Sequence, residues 1–377
     1  MRNYPQMPLT TITPSAKTTR RSAKQTIGMW IISSVSIVIP CYNYGHFLRD
    51  AVRSVLADQD GVDVRVLVID DASTDDSVEV AKAIAEEDSR VEVAVHAVNH
   101  GNIATYNEGL LEWADGDYTV LLSADDRLTP GSLPRAVQLL DTNHRVGFAY
   151  GHPLNFREGR PLPTPRTEVR GWSIWPGEWW IERRFRSSVN CITSPEVVVR
   201  TSLQKKVGGY DARLPHTADL EIWMRLAAHA DVGYVRGVDQ ALYRLHGHNM
   251  TTDRTKVVDL SQRQTAFDAL LETCGYRLTN PDYLHKMAHK KLSWEAVWSA
   301  SRAYDRGETD QVPVDKLVDF ALHCWPAIAR TPVYRGLRFR QAVGPRWMPY
   351  LKPFIWSAGA HKITNKFWWR TWERHGI

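Results

Sequence analysis

Cysteine is scarce in this chain. The four in 377 residues (Cys41, Cys191, Cys274 and Cys324) lie far apart, with no CxxC pair and no metal-finger spacing. That excludes a disulfide framework and points to reduced thiols in a cytosolic setting. Long apolar runs are missing too: none reaches the roughly 18 residues needed to span a bilayer. The longest near the N-terminus, Ile27 to Ile32, is too short for a span and lacks a small-residue cleavage site. No GxGxxG follows a strand-like run and no P-loop is present, which argues against a dinucleotide oxidoreductase and against P-loop chemistry. Acids are absent before Asp50, and from Arg330 onward Glu373 is the single one. The ends are therefore basic, although the formal net charge is only +5. Nucleic acid and an anionic membrane surface are the two partners that basic ends suit.

What is present is an ordinary folded composition, 43% apolar and 24% charged, in a chain long enough for two or three domains. Residues 1–34, rich in Ser, Thr, Lys and Arg, read as a disordered basic leader with Met29 as a candidate start. From Val35 the texture changes. VSIVIP (35–40) is a β-branched run closed by Pro40, and VRVLVIDD (64–71), VEVAVHAV (91–98) and YTVLLSADD (118–126) follow as further strands. Between them lie helical patterns over 46–58, 73–88 and 103–114. This alternation predicts an α/β domain with a mixed, mainly parallel sheet and helices on both faces, over 35–252. Residues 151–186, rich in Pro, Arg and Trp, read as a long loop or insertion over one face, and 253–377 as a helical region ending in a basic aromatic tail.

The chemistry concentrates where strands end. Asp125 and Asp126 stand side by side after the fourth apolar run, at the edge where open parallel sheets bind ligands. Carboxylates this close repel unless a cation lies beside them, and Mg²⁺ or Mn²⁺ suits oxygen ligands. Asp70 and Asp71 end the second strand in the same way, and Asp219 opens a helical segment. Each acid also has a plain structural use: turns and helix starts favour Asp.

With Asn99, Gly101, Asn107, Gly109 and the YRLHGHNMT segment from Tyr243, these acids form an ordered series. From about Val35 to Thr251 the series resembles the inverting glycosyltransferases of family 2, which have the Rossmann-like GT-A nucleotide-sugar fold. The resemblance implies that Pro40, Tyr42 and Asn43 line the nucleotide pocket and that Asp70 or Asp71 accepts hydrogen bonds from base or ribose. It places Asn99 and Asn107 beside the donor and Asp125 on the diphosphate's Mg²⁺ or Mn²⁺, in a metal set of Asp125, Asp126 and His246. It makes Asp219 the general base. Two positions depart from the pattern: Ser123 stands where the family often has Asp, leaving a hydroxyl that can bond the ribose, and Ala218 stands where it usually has Glu.

The function so implied is transfer of a sugar from a nucleotide-diphosphate donor, UDP by default, to a glycan or lipid-linked acceptor during cell-envelope or exopolysaccharide assembly. Trp175, Trp179 and Trp180 could stack on a sugar or lipid acceptor, although burial is the commoner fate of such aromatics. The tail aromatics Tyr350, Phe354, Trp356, Phe367, Trp368, Trp369 and Trp372, interleaved with cations, suit an anionic membrane surface on the cytoplasmic side or, equally, a helical cap packed on the catalytic domain. No nucleic-acid partner is expected. A nucleotidyltransferase is the rival enzyme, but CYNYGHFL is a poor glycine-rich phosphate loop; a nonenzymatic sugar- or nucleic-acid-binding protein has no use for Asp125 and Asp219.

Overall fold

The computed structural model describes residues 32–247, 255–351, 372 and 375–377. The expected leader up to Ile31, residues 248–254, and the tail aromatics Phe354, Trp356, Phe367, Trp368 and Trp369 lie outside the described residues.

Apolar runs that are buried on both faces make the first half of the sheet. Strands β1 (Ser34–Cys41), β2 (Asp63–Asp70), β3 (Val91–Val95) and β4 (Tyr118–Leu121) pair in the order β3-β2-β1-β4, all parallel. Helix α1 (Gly45–Leu56) turns Phe47, Leu48, Ala51, Val52 and Val55 inward, the i, i+4 stripe expected of a crossover helix. Helix α2 (Ser77–Glu87) joins β2 to β3. Between β3 and β4, α3 (Asn102–Asn107) runs on into a π-helical turn, Glu108–Trp113. Gly109 lies in that turn against β1, where a Cβ would fall 2.3 Å from Val38 Cγ1; only glycine lets the helix approach so closely.

The sheet then changes direction. After the short strand β5 (Arg127–Leu128) and helix α4 (Ser132–Thr142) come β6 (Val146–Phe156), β7 (Trp172–Trp175), α5 (Gly177–Ser187), β8 (Val198–Arg200), α6 (Thr201–Val207), α7 (Ala218–Ala227) and β9 (Asp231–Arg244). The nine-stranded sheet continues β4-β8-β6-β9-β5, with β7 also on β9. β8 is antiparallel to both neighbours and β6 is parallel to β9, so the sheet is mixed with its long ladders parallel.

Residues 151–186 are not one loop. β6 runs on to Phe156, β7 pairs with β9, and α5 follows. Trp175 and Trp180 are buried at 3% and 0% exposure, so these two cannot stack on an acceptor, and the correction has a simple cause: large aromatics gain most by leaving water.

From Lys256 the described chain is helical: α8 (Lys256–Cys274), α9 (Pro281–Arg306), α10 (Val314–Cys324) and α11 (Pro332–Val343). Thr255, Asn280 and Thr331 cap three of these helices by accepting from main-chain N–H groups, with Pro281 and Pro332 just inside two of them. One apolar core runs from Val38 and Phe148 through Trp180 and Trp223 to Phe267, Leu292 and Leu317, so the helices and the sheet share an interior. Trp372 joins it, buried and donating from Nε1 to the Cys191 carbonyl at 2.9 Å. That removes Trp372 from the aromatics available to a membrane. No helix among the described residues is long and apolar enough to cross one.

A charged network anchors the helices to the sheet side. Glu295 of α9 accepts from Lys256 (2.7 Å) and Arg263 (2.9 Å), while Arg263 also donates to the Ser188 carbonyl at the end of α5 (2.7 Å). Burial opposes ionisation of Glu295, yet the two cations outweigh it and pull its pKa from 4.5 to about 2. A depressed carboxylate stabilises above its unfolded pKa and loses that contribution as pH falls from about 4.5 to about 2. Glu295→Gln should therefore cost about 3 kcal/mol at pH 7, with Arg263 left to Asp259 and the Ser188 carbonyl. Urea midpoints of the two proteins should converge as the pH is lowered to 3.5; an equal gap at both pH values would contradict the ionic account.

Candidate active site

Four segments at the C-terminal edge of the parallel strands are tied together by their own polar side chains. Asn43, at φ 57°, accepts from the Thr74 N–H at 2.7 Å and donates its own main-chain N–H to the Ser73 hydroxyl oxygen at 2.9 Å. It thereby locks the loop after β1 to the loop after β2. Tyr42 beside it is 48% exposed, the outward face of this corner.

Asp70 and Asp71 are both buried and do different work. Asp70 Oδ2 accepts from the Ser73 N–H at 2.9 Å, while its Oδ1 is buried with no hydrogen-bond partner among the described residues. Asp71 accepts from His96 Nδ1 (2.7 Å) and from the main-chain N–H groups of His100 (2.8 Å) and Gly101 (2.9 Å). His96 Nε2 meets Glu108 at 2.8 Å. A carboxylate thus lies on each ring nitrogen of His96; burial disfavours the charged ring, but the bonds to Asp71 and Glu108 outweigh it and raise its pKa. Asn99 donates to the Asp71 carbonyl and accepts from the Gly101 N–H, both at 3.0 Å. Its amide thus shapes the loop between β3 and α3. Asn107 is likewise committed: its Oδ1 accepts from the Tyr210 N–H at 2.6 Å and its Nδ2 donates to the Tyr210 carbonyl at 2.9 Å.

Asp125 and Asp126 sit in the turn between β4 and β5, where the Asp126 N–H returns to the Ser123 carbonyl at 3.0 Å. The end of β9 clamps that turn. Arg244 donates its N–H to Asp126 Oδ1 and its Nε to the Asp125 carbonyl, both at 2.8 Å. The guanidinium is stacked over Phe47 at 4.0 Å and Phe156 at 4.6 Å. Two residues on, His246 Nε2 lies 2.9 Å from Asp125 Oδ2. Burial, then the charge of Asp125, push Asp126 well above the usual carboxylate range. Such a pair is short of positive charge, and one imidazole with two carboxylates is a donor set that Mg²⁺ or Mn²⁺ fits, Mn²⁺ taking the nitrogen more readily.

Asp219 opens α7, accepting from the Leu220 N–H at 2.8 Å and from Asn190 Nδ2 at 2.7 Å. Its helix is braced by the buried Glu221–Arg225 pair (2.7 Å), and Arg225 reaches on to the carbonyls of Val207 (2.7 Å) and Gly209 (2.6 Å). Together with the Asn107–Tyr210 bonds, this fixes α7 relative to α3. Ala218 is buried in the apolar core, so a glutamate there would lose its water.

Tyr106 joins the two acidic centres. Burial raises its phenol pKa and the charges of Asp125, Asp219 and Asp126 raise it further, against a hydrogen bond with Asn102. Tyr44 is pushed up to about 12 by burial and then by Asp125 and Asp126, and its ring meets that of His246 edge-on at 5.7 Å. The charges of Asp125 and Asp126 thus reach both tyrosines, and that of Asp219 reaches Tyr106 as well. Sequence reasoning missed Tyr44, Tyr106, Asn190 and Arg244 as parts of the site; only Arg244, in the YR pair, stood within a segment already singled out.

Residues 36–201 match the family described as Glycosyl transferase family 2. Over that stretch, somewhat under half of the chain, the sequence is that of a family 2 glycosyltransferase. An uncharacterized glycosyltransferase of Nostoc is 31% identical over 137 residues, 36% of this chain and 41% of that protein. TuaG of Bacillus subtilis, a putative teichuronic acid biosynthesis glycosyltransferase, is 30% identical over 34% of this chain and half of its own. The chain spans about two fifths of the length of the first curated relatives it matches. Among solved structures, that of S. aureus TarS 1–349 with UDP-GlcNAc aligns over 86% of this chain and 92% of its own, with TM-score 0.57 and 16% identity. The fold is GT-A, as the strand and acid series implied.

Proposed function

We propose that this protein transfers a sugar from a nucleotide-diphosphate donor to an acceptor hydroxyl with inversion at the anomeric carbon. The Asp125–His246 contact in the turn after the fourth parallel strand, with Asp219 held at the start of α7, carries this reading. The residues 35–252 form the catalytic domain, and Pro40, Tyr42 and Asn43 border the nucleoside end of the donor. The unpartnered Oδ1 of Asp70 favours that residue as acceptor for a base or ribose donor, with Ser123 near the same ligand. Asn99 and Asn107 act on the donor indirectly, by holding loops.

Asp125, Asp126 and His246 would hold a divalent cation. When bound, it offsets negative charge gathering on the leaving diphosphate without proton transfer. The acceptor oxygen forms its bond to the anomeric carbon as the bond from that carbon to the β-phosphate oxygen breaks. Asp219 takes the hydroxyl proton, which a poor nucleophile near pH 7 must lose during attack. One base suffices for a single displacement from the opposite face. Asn190 and the Leu220 N–H hold the Asp219 carboxylate in place for this.

UDP is the default nucleotide, and TarS holds UDP-GlcNAc within the same fold. Envelope or exopolysaccharide assembly is the proposed setting, which TuaG shares by its name; the acceptor is a glycan or lipid-linked glycan. Membrane attachment through the basic tail, on its cytoplasmic side, stays part of the proposal with Trp372 removed. Incubation with a panel of UDP-sugars and Mn²⁺ should release UDP, and proton NMR of the glycoside formed should show the opposite anomer to the donor's. A product that retains the donor's configuration would overturn the single-displacement reading.

A further inference from the structure

Three side chains of the helical region converge away from the sheet's acidic edge. Asp268 projects from α8, and His285 and His289 come from successive turns of α9. Residues four apart share one helix face, and the two rings lie 3.9 Å apart between centroids. Both imidazoles bring Nε2 to the same carboxylate oxygen. Asp268 Oδ1 is 2.8 Å from His289 Nε2 and 3.5 Å from His285 Nε2. His289 Nδ1 lies 3.1 Å from the Cys324 carbonyl at the end of α10. Donation to that carbonyl fixes the ring and leaves Nε2 directed at Asp268, the outer bond that metal-bound histidines ordinarily make.

We propose that Asp268, His285 and His289 bind a divalent transition-metal ion of the zinc class, which staples α8 to α9. The donor set decides the class: two imidazoles with one carboxylate suit Zn²⁺, Co²⁺ or Ni²⁺ better than Mg²⁺. The one-atom-per-residue ligands all lie within 4.8 Å of one another. A tetrahedral edge with bonds of 2.0–2.1 Å is about 3.3 Å. The 3.5 Å separation is close to that already, and the 2.8 Å one opens by a small rotation of Asp268. The side chains of His285 and Asp268 are 48% and 39% exposed, so an ion has a path in and water can complete the coordination. In the metal-free protein a proton on His289 Nε2 holds the same place against Asp268, and the metal replaces it.

The test uses the full chain as wild type, Asp125→Ala and the double variant Asp125→Ala with His285→Ala, melted with and without excess Zn²⁺ and titrated with Co²⁺ under visible absorption. His285 is half-exposed on a helix, so its truncation leaves the core intact. Zn²⁺ should raise the Tm of wild type and Asp125→Ala by several degrees, because an ion that binds only the folded state stabilises it by mass action. Both should also give the visible bands of four-coordinate Co²⁺, and His285→Ala made in the Asp125→Ala background, where the active-site ligand is gone, should give neither response. Equal responses from that double variant, or none from wild type, would overturn the site. Since Asp125→Ala removes the proposed active-site ligand, failure here and failure of the glycosyltransferase reading are separable.

Discussion

Asp219→Asn should slow sugar transfer by about 10²–10⁴ while leaving nucleotide binding intact. That range corresponds to roughly 3–5 kcal/mol of lost transition-state stabilisation. The substitution is nearly isosteric, and the amide oxygen can still accept from the Leu220 N–H at the start of α7. The fold should therefore survive, and an unchanged Tm is the control. The loss should fall on kcat, with the donor KM close to wild type, because the residue acts on the acceptor's proton and makes no call on the donor. Retention of most of the turnover would remove Asp219 from the role of base.

Asp125→Ala should fail differently. Its carboxylate faces His246 at 2.9 Å, and its main chain is held independently by Arg244. The turn should keep its shape while the cation loses a ligand and His246 loses its partner. Transfer should drop by about 10²–10³ or more, the range seen when one group stabilising a developing oxyanion is removed. Here the donor KM should rise together with the fall in kcat, and added Mn²⁺ should cease to stimulate. An Asp125→Ala enzyme with unaltered donor KM and Mn²⁺ response would place the diphosphate elsewhere. The contrast between the two variants separates the donor side of the site from the acceptor side.

Much of this was legible in the chain, for local reasons. The β1, β2 and β4 runs are rich in β-branched residues, and those of β2 and β4 run on into paired acids, so period, length and composition agreed on buried parallel strands. Their observed bounds differ by a few residues; β4 stops pairing at Leu121, which leaves Asp125 and Asp126 in a turn that β9 organises. What was hidden depends on partners distant in sequence. β7 is four residues long and exists because β9 accepts it, so 151–186 carried no period to read. Asn107 looked like a ligand by its place in a motif. Its amide instead pairs with a peptide 103 residues away, a duty no spacing rule discloses. Tyr106 carried no signal in the sequence; the charges of three carboxylates distant in the chain reach it only in the fold. Trp372 read equally as part of a membrane-facing tail or of a cap packed on the catalytic domain, and it packs in the core against Cys191.

The central claim is a cation-assisted nucleotide site built on Asp125, and binding tests it before any acceptor is known. The measurement is thermal melting of wild type and Asp125→Ala with UDP, GDP, dTDP and CMP, each with and without Mn²⁺. A nucleotide at about 100 times its Kd adds roughly 2.7 kcal/mol, enough to raise the Tm by several degrees. The expected result is a shift for one diphosphate, UDP by default, that requires Mn²⁺ and disappears in Asp125→Ala. No shift with any nucleotide, or an equal shift without metal and in the variant, would contradict it.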